Sequence, residues 1–203
     1  MPARVRLALI VFASLAILGS AGVLVFANPE RASTPRPNGF AGSLPPDGLR
    51  VRDFALRDQD GHRASLRQYR GHVVVLTFMY STCKDTCPVT AVTIRGALND
   101  VGHDVPTLAV SVDPAHDTPD TAERFLLEQG LSAGRMRFLL GTRAELQPIW
   151  KAYGIWPQGQ GFEHSAYVLV LDKRGRQRVS FPVDQLTDRD LAHDIRKLAA
   201  EPA

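Results

Sequence analysis

Two cysteines, Cys83 and Cys87, have the clearest capacity for chemistry in this chain, and it contains no others. They directly follow an apolar run, residues 73–79, that is typical of a buried central strand. They also open a predicted helix, residues 83–98, whose free N–H groups and dipole favour thiolates. Their spacing of four places both sulfurs on one helical face. We therefore expect a dithiol–disulfide couple or two soft metal ligands, because a purely structural disulfide over so short a loop would remove little chain entropy.

The N-terminus indicates where this chemistry takes place. Residues 7–27 carry no charge and follow Arg4 and Arg6, and about 20 apolar residues are enough to span a bilayer. The basic flank keeps the N-terminus in the cytoplasm. We predict a single-pass inner-membrane anchor over residues 1–27, with the soluble domain in the periplasm. The alternative is a cleaved signal peptide ending at residues 25–27, although signal-peptide cores usually run about 7–15 residues. In either case the cysteines function in an oxidising compartment, where one close pair indicates redox chemistry or a metal site.

The elements that must position the cysteines alternate between strands and helices. Residues 28–48 are rich in proline and glycine, so we predict an extended linker there and a domain over residues 49–203. The predicted strands are residues 53–56, 62–66, 73–79, 108–112, 136–140, 166–171 and 177–181, and the further helices are 118–129, 145–153 and 188–200. This order predicts an α/β thioredoxin-like fold with an N-terminal β-hairpin extension, preceded by the membrane-anchor helix. In the cysteine helix we expect Val89, Val92 and Leu98 to face the core.

Several motifs together resemble the Sco (SenC) family of copper chaperones, which serve cytochrome c oxidase assembly. The resemblance covers residues 53–198. Its carriers are DG at residues 60–61, LRQYRG at 66–71, CKDTCP at 83–88, SVDPAHDTP at 111–119 and HSAYVLVLD at 164–172. Together they are highly specific. One departure is Lys84, where the family commonly has proline, but this change removes no metal ligand.

The resemblance implies a metal site formed by Cys83, Cys87 and His164, with one copper ion, Cu(I) or Cu(II), per chain. The chemistry of these donors agrees, since thiolates favour Cu(I) and imidazole suits either oxidation state. Zinc is chemically compatible with the same donors, but the compartment and the resemblance favour copper. Oxidised, Cys83 and Cys87 would form a redox-active disulfide that cannot bind the metal.

The implied function is a metallochaperone, rather than an enzyme, that delivers copper to the CuA site in cytochrome c oxidase subunit II. The expected partners are that subunit, a thiol reductase, a second periplasmic copper chaperone and the membrane. The alternative is a thiol–disulfide oxidoreductase that acts on the cysteines of the oxidase subunit. A peroxidase on the same fold is disfavoured, because the sequence shows no pattern for the arginine-supported peroxide pocket that a peroxidase needs. The near balance of 24 basic and 21 acidic residues gives no basic surface for nucleic acid.

The remaining candidates are structural by type. We expect Asp113 and Asp117 to cap the helix that opens at residue 118, with a role for Asp113 beside the copper as the alternative. The aromatic residues around the site are expected to form core or platform, without a catalytic role: Tyr80, Trp150, Tyr153 and Trp156.

Overall fold

The structure is a computed structural model and describes residues 39–45, 52–155 and 167–202. The strands in these ranges are β1 (Ala55–Arg57), β2 (Arg63–Ser65), β3 (Val74–Met79), β4 (Thr107–Ser111), β5 (Arg137–Leu139), β6 (Tyr167–Leu171) and β7 (Gln177–Pro182). The helices are α1 (Thr86–Val101), α2 (Pro119–Glu128), α3 (Arg143–Tyr153) and α4 (Asp188–Ala200).

A mixed sheet organises the domain, with the strand order β5-β4-β3-β6-β7. The central strand β3 is parallel to β4 and antiparallel to β6. All six residues of β3 are buried, as expected for its unbroken run of β-branched and apolar side chains. This arrangement confirms the predicted α/β thioredoxin-like fold and delivers the chain from Met79, at the carboxyl end of β3, directly into the cysteine segment.

Each face of the sheet buries its own apolar cluster. Helices α1, α2 and α4 cover one face, while α3 and the β1–β2 hairpin cover the other. The buried face of α1 repeats every three or four residues, through Cys87, Thr90, Ala91, Ile94, Ala97 and Leu98. Leu98 thus faces the core as predicted, but the prediction for Val89 and Val92 was wrong, since they are 66% and 43% exposed. Their apolar identity suggests burial, but the helical period that runs through Cys87 and Ile94 places both valines on the outer face.

Two segments cover the edges of the sheet. The β1–β2 hairpin bridges to the β5 edge where the Leu140 N–H donates to the Arg57 carbonyl at 2.7 Å. On the β7 edge lie residues 39–45, which we call the strap. Ser43 exchanges two backbone hydrogen bonds with Ser180, at 2.9 and 2.8 Å, and Phe40 is 5% exposed in the core. Both edges thereby lose unpaired backbone groups that would otherwise recruit other chains.

The strap is fixed by the carboxylate of Asp194, a fully buried residue of α4. It accepts the N–H groups of Ala41 and Gly42, each at 2.9 Å. Gly42 leaves no room for a side chain, because a Cβ there would lie 2.1 Å from Val179 Cγ1. The strap therefore forms part of the packed domain.

No helix in the described part of the chain is long and apolar enough to cross a bilayer. The predicted anchor, residues 7–27, lies outside the described residues and remains a prediction.

Candidate metal and redox site

The two cysteines lie at the junction between β3 and α1. Cys87 is the second residue of α1, whereas Cys83 precedes that helix. The helix was therefore predicted to begin too early. The sulfurs do not share a helical face; they approach each other because the loop before α1 folds back onto its first turn. The Cys87 N–H points to Cys83 Sγ at 3.4 Å, so this sulfur takes the place of an N-cap side chain, while Asp85 at the N-cap position makes no such bond. Both cysteines are free thiols and each is 8% exposed.

The two sulfurs differ sharply in acidity. A hydrogen bond from the Cys87 thiol, opposed by burial and aided by the N–H groups of Cys87 and Asp85 and by the Tyr80 side chain, lowers the pKa of Cys83 to about 5. The pKa of Cys87 is raised, because its proton is held by Cys83 and because the group is buried. The pair thus shares one proton at neutral pH and titrates as a unit.

This arrangement suits two kinds of chemistry. An ionised Cys83 beside a protonated Cys87 provides a nucleophile and a second thiol that can close a disulfide. The same sulfurs provide two soft donors for a metal ion that displaces the remaining proton. The donor chemistry therefore fits copper. His164, the predicted third ligand, and Trp156 lie outside the described residues, so the three-ligand set remains a prediction.

Asp117 has a role that the sequence did not predict. The capping prediction was wrong, because Thr118 is the N-cap of α2 and its side chain accepts the Thr121 N–H. The Asp117 carboxylate instead accepts the Ser81 N–H at 2.7 Å, the Ser81 hydroxyl at 2.6 Å and the Ser111 hydroxyl at 2.5 Å. Burial raises the pKa of Asp117, and the hydrogen bonds from Ser111 and Ser81 offset only part of that rise. No local pattern marks this contact, since Ser81 lies 36 positions away.

The other candidates have structural partners. Asp113 does not cap α2 either; it pairs with His116 Nδ1 at 2.8 Å, and its role beside copper remains a prediction. Trp150 is core, as expected, and its indole N–H donates to the Ser111 carbonyl at 2.9 Å. Tyr153 contributes to the same face of the sheet. Tyr80 does more than the expected platform role, because its side chain hydrogen-bonds the Cys83 sulfur.

A second group of ligand-type side chains, Asp58, Asp60 and His62, lies in the β1–β2 turn with candidate ligand atoms within 4.8 Å of one another. Its buried member is already engaged, because Asp58 accepts the N–H groups of Asp60 and His62 at 3.1 and 2.8 Å. Asp58 also pairs with Arg137 at 3.3 Å. These bonds account for the cluster as a turn that links the hairpin to β5.

Comparison with known proteins gives evidence that is independent of this geometry. The model of the family described as SCO1/SenC matches residues 45–200. The SCO1 protein homolog of Bacillus subtilis (strain 168) is 30% identical over 135 residues, which are 62% of this chain and 70% of that protein.

Solved structures agree with the sequence comparison. The structure of Bradyrhizobium japonicum ScoI with copper bound is 26% identical, has a TM-score of 0.62 and covers 73% of this chain and 98% of its own. The structure of BsSco, a member of the Sco family of cytochrome c oxidase assembly proteins in which a disulfide switch was identified, has a TM-score of 0.67 over 79% of this chain and 99% of its own. At 22% identity, this second structure shows a shared fold.

Proposed function

This chain belongs to the SCO1/SenC family, and on that premise we propose that it is a copper metallochaperone for cytochrome c oxidase assembly. In this proposal one copper ion binds through Cys83, Cys87 and His164 and is passed to the CuA site of the oxidase. The observation that carries the proposal is the pair of buried, free thiols, Cys83 and Cys87, where β3 leads into α1. The copper-bound relative from Bradyrhizobium japonicum supports the choice of metal.

The paired thiols explain how such a site would be gated. Loading with copper requires both sulfurs as thiolates, and because Cys83 is already ionised, only the shared proton on Cys87 must leave. A disulfide between the same sulfurs has no thiolate to offer. The oxidised protein would therefore need a dithiol reductase before it takes up copper. We also place the domain in the periplasm, held to the inner membrane by residues 1–27.

Copper titration of the reduced full-length protein tests this proposal. We expect one tightly held ion per chain and a thiolate-to-Cu(II) charge-transfer band, with neither in the protein oxidised beforehand. His164→Ala removes one of the three proposed donors, so it should weaken copper binding by about a hundredfold or more. This factor corresponds to about 2.8 kcal/mol of binding free energy. His72→Ala is the matched control, because His72 is exposed and precedes β3. Equal loading of the reduced and oxidised forms would contradict the proposal.

A thiol–disulfide oxidoreductase is the second candidate, and the low pKa of Cys83 beside a protonated Cys87 favours it. His164 separates the two functions, because thiol–disulfide exchange depends on thiolate fraction, nucleophilicity and access rather than on an imidazole. In a strain lacking the native protein, His164→Ala should keep dithiol activity but fail to support oxidase assembly at low copper. Normal assembly despite lost copper binding would instead identify reduction as the physiological role.

A further inference from the structure

Asp117 differs from the other buried aspartates of the described chain in the side chains around its carboxylate. Asp58 pairs with Arg137 at 3.3 Å and Asp172 with Arg176 at 2.7 Å, while Asp194 lies 2.8 Å from the ring Nδ1 of His193. Asp117 is 8% exposed, and within the described ranges it has no basic partner; its carboxylate is bound by two hydroxyls and one backbone N–H. Burying a carboxylate in this way carries a free-energy cost that a neutral side chain would avoid.

The bonds made by Asp117 join three segments beneath the dithiol. Ser81 belongs to the loop between β3 and α1, and Ser111 ends β4. The Ser81 hydroxyl also lies 3.0 Å from Thr121 Oγ1, in the first turn of α2. The Ser111 side of this network is fixed in turn by the Trp150 indole, at 2.9 Å from the Ser111 carbonyl. The carboxylate is thus the common acceptor through which the dithiol loop is attached to the body of the domain.

The loop also has restraints of its own. The Cys83 N–H reaches the Tyr80 carbonyl at 3.3 Å, and the Cys87 N–H reaches the Cys83 sulfur at 3.4 Å. The bonds from Ser81 to Asp117, at 2.7 and 2.6 Å, attach this loop to the segment between β4 and α2.

We propose that Asp117 is a positioning residue for the dithiol: by accepting both bonds from Ser81, it holds Cys83 Sγ against the first turn of α1, where the two sulfurs can act together. Its contribution comes from hydrogen-bond acceptors in a fixed position rather than from contact with the sulfurs. The part of this inference that concerns copper rests on the proposed function, and the part that concerns the dithiol does not.

Three variants separate positioning from charge and from general destabilisation. Asp117→Ala removes the acceptors. Asp117→Asn keeps one oxygen for Ser81 and supplies an N–H that the Ser111 hydroxyl can accept, so it removes the charge and keeps the tether. Asp194→Ala is the matched control, because Asp194 is also a buried acceptor, but of two backbone N–H groups of the strap.

The first measurement is Cu(I) affinity of the reduced full-length protein against a chromogenic Cu(I) chelator. Asp117→Ala should lose about tenfold, the lower end of what outer partners of metal ligands contribute. Asp117→Asn and Asp194→Ala should stay within about twofold of the native protein. Native affinity in Asp117→Ala, an equal loss in Asp117→Asn, or an equal loss in Asp194→Ala would each overturn the proposal.

The second measurement needs no metal. In glutathione redox buffers, Asp117→Ala should shift the dithiol–disulfide equilibrium about threefold or more toward the disulfide, because the lost bonds are those of the reduced chain. Asp117→Asn and Asp194→Ala should not shift it. If Asp117→Ala does not fold, as judged by circular dichroism, Ser81→Ala replaces it and should shift the equilibrium in the same direction by a smaller factor. If the folded variant, Asp117→Ala or its replacement Ser81→Ala, shows no shift, the inference is overturned whatever the copper measurement gives. If that variant shifts while Asp117→Asn and Asp194→Ala do not, the inference about the dithiol stands even where the protein binds no copper.

Discussion

A buried carboxylate lies near each end of β3, and the two carboxylates have different kinds of hydrogen-bond partner. At the Val74 end, the β6–β7 turn presents Asp172, 4% exposed, to Arg176 at 2.7 Å and Arg178 at 3.5 Å. We call this the arginine end. At the Met79 end, which we call the dithiol end, the donors to Asp117 among the described residues are two hydroxyls and a backbone amide.

The acidities follow from this difference. Burial raises the pKa of Asp172, but hydrogen bonds from the Arg176 backbone and guanidinium and the charge of Arg176 outweigh it, so the pKa lies below its usual range. The pKa of Asp117 lies above its usual range, because burial outweighs the hydrogen bonds from Ser111 and Ser81. The arginine end therefore favours the ionised form of its carboxylate, while the dithiol end disfavours it.

The largest effect should come from the sulfurs themselves. Cys83→Ser and Cys87→Ser should each weaken copper binding by about a thousandfold or more, roughly 4 kcal/mol, because a thiolate is replaced by a poor copper ligand. The fold should stay intact, as judged by circular dichroism, although both sulfurs are buried in the core and their replacement should cost some stability. Near-native copper retention in either variant, measured after desalting, would contradict the division between the two ends.

The acidity of Cys83 should appear as an unusual pH profile. Its thiolate pKa of about 5 predicts that alkylation by iodoacetamide is nearly constant around neutral pH and falls only as the pH drops through about 5. Cys87→Ala removes the thiol donor, which is the largest cause of the shift, so its midpoint should move up toward the ordinary value of 9.0. A native profile with its midpoint near that ordinary value would contradict the shared proton.

Asp172→Ala should produce the reverse of the cysteine variants. It leaves the N–H groups of Arg174 and Arg176 without their acceptor and should reduce the free energy of unfolding by about 2–3 kcal/mol. Copper affinity and the alkylation profile should stay native. A change in copper affinity or in the alkylation profile would show that the arginine end and the dithiol end are coupled.

Asparagine substitutions at the two carboxylates should respond to pH with opposite signs. Because the pKa of Asp117 is raised, its charge lowers stability as the pH rises, so Asp117→Asn should be at least as stable as the native protein at neutral pH and lose that advantage on acidification. Because the pKa of Asp172 is lowered, Asp172→Asn should be less stable at neutral pH, with a deficit that shrinks as the pH falls. Urea unfolding at several pH values measures both, and slopes of the same sign would contradict the comparison.

The smallest effect is expected at Val89, on the outer face of α1. Val89→Ser should change the free energy of unfolding by no more than about 0.5 kcal/mol, because the side chain is 66% exposed. Ile94→Ala, on the buried face of the same helix, should cost about 2–5 kcal/mol. Equal losses at the two positions would mean that the helix faces the core as first predicted from the sequence.

Local sequence signals were sufficient for most of the fold. The apolar run of β3 identified a buried strand, and α4 begins at Asp188 and ends at Ala200 as predicted. Thr187 caps this helix by accepting the Asp190 N–H, a contact between residues three apart. These features depend on neighbours a few residues apart, which a sequence displays directly.

The failures share a different cause. Asp117 binds Ser81 across 36 positions and Ser111 across six, and the apolar identity of Val89 concealed its exposure. The position of the cysteines after β3 could be predicted because a strand and its following residue are neighbours in sequence. The support beneath them could not, because it depends on which loops the folded sheet brings together.

The position of the strap determines the order in which parts of the domain can fold during synthesis. Its partners, Ser180 and Asp194, lie 137 and about 150 positions further along the chain. A chain that emerges N-terminus first therefore exposes Phe40 long before β7 and α4 exist to cover it. The earliest residues of the domain must dock last, on an edge made by the final residues to be synthesised. A chain stopped before α4 would leave Phe40 and the β7 edge uncovered, in the form that passing chaperones and proteases recognise.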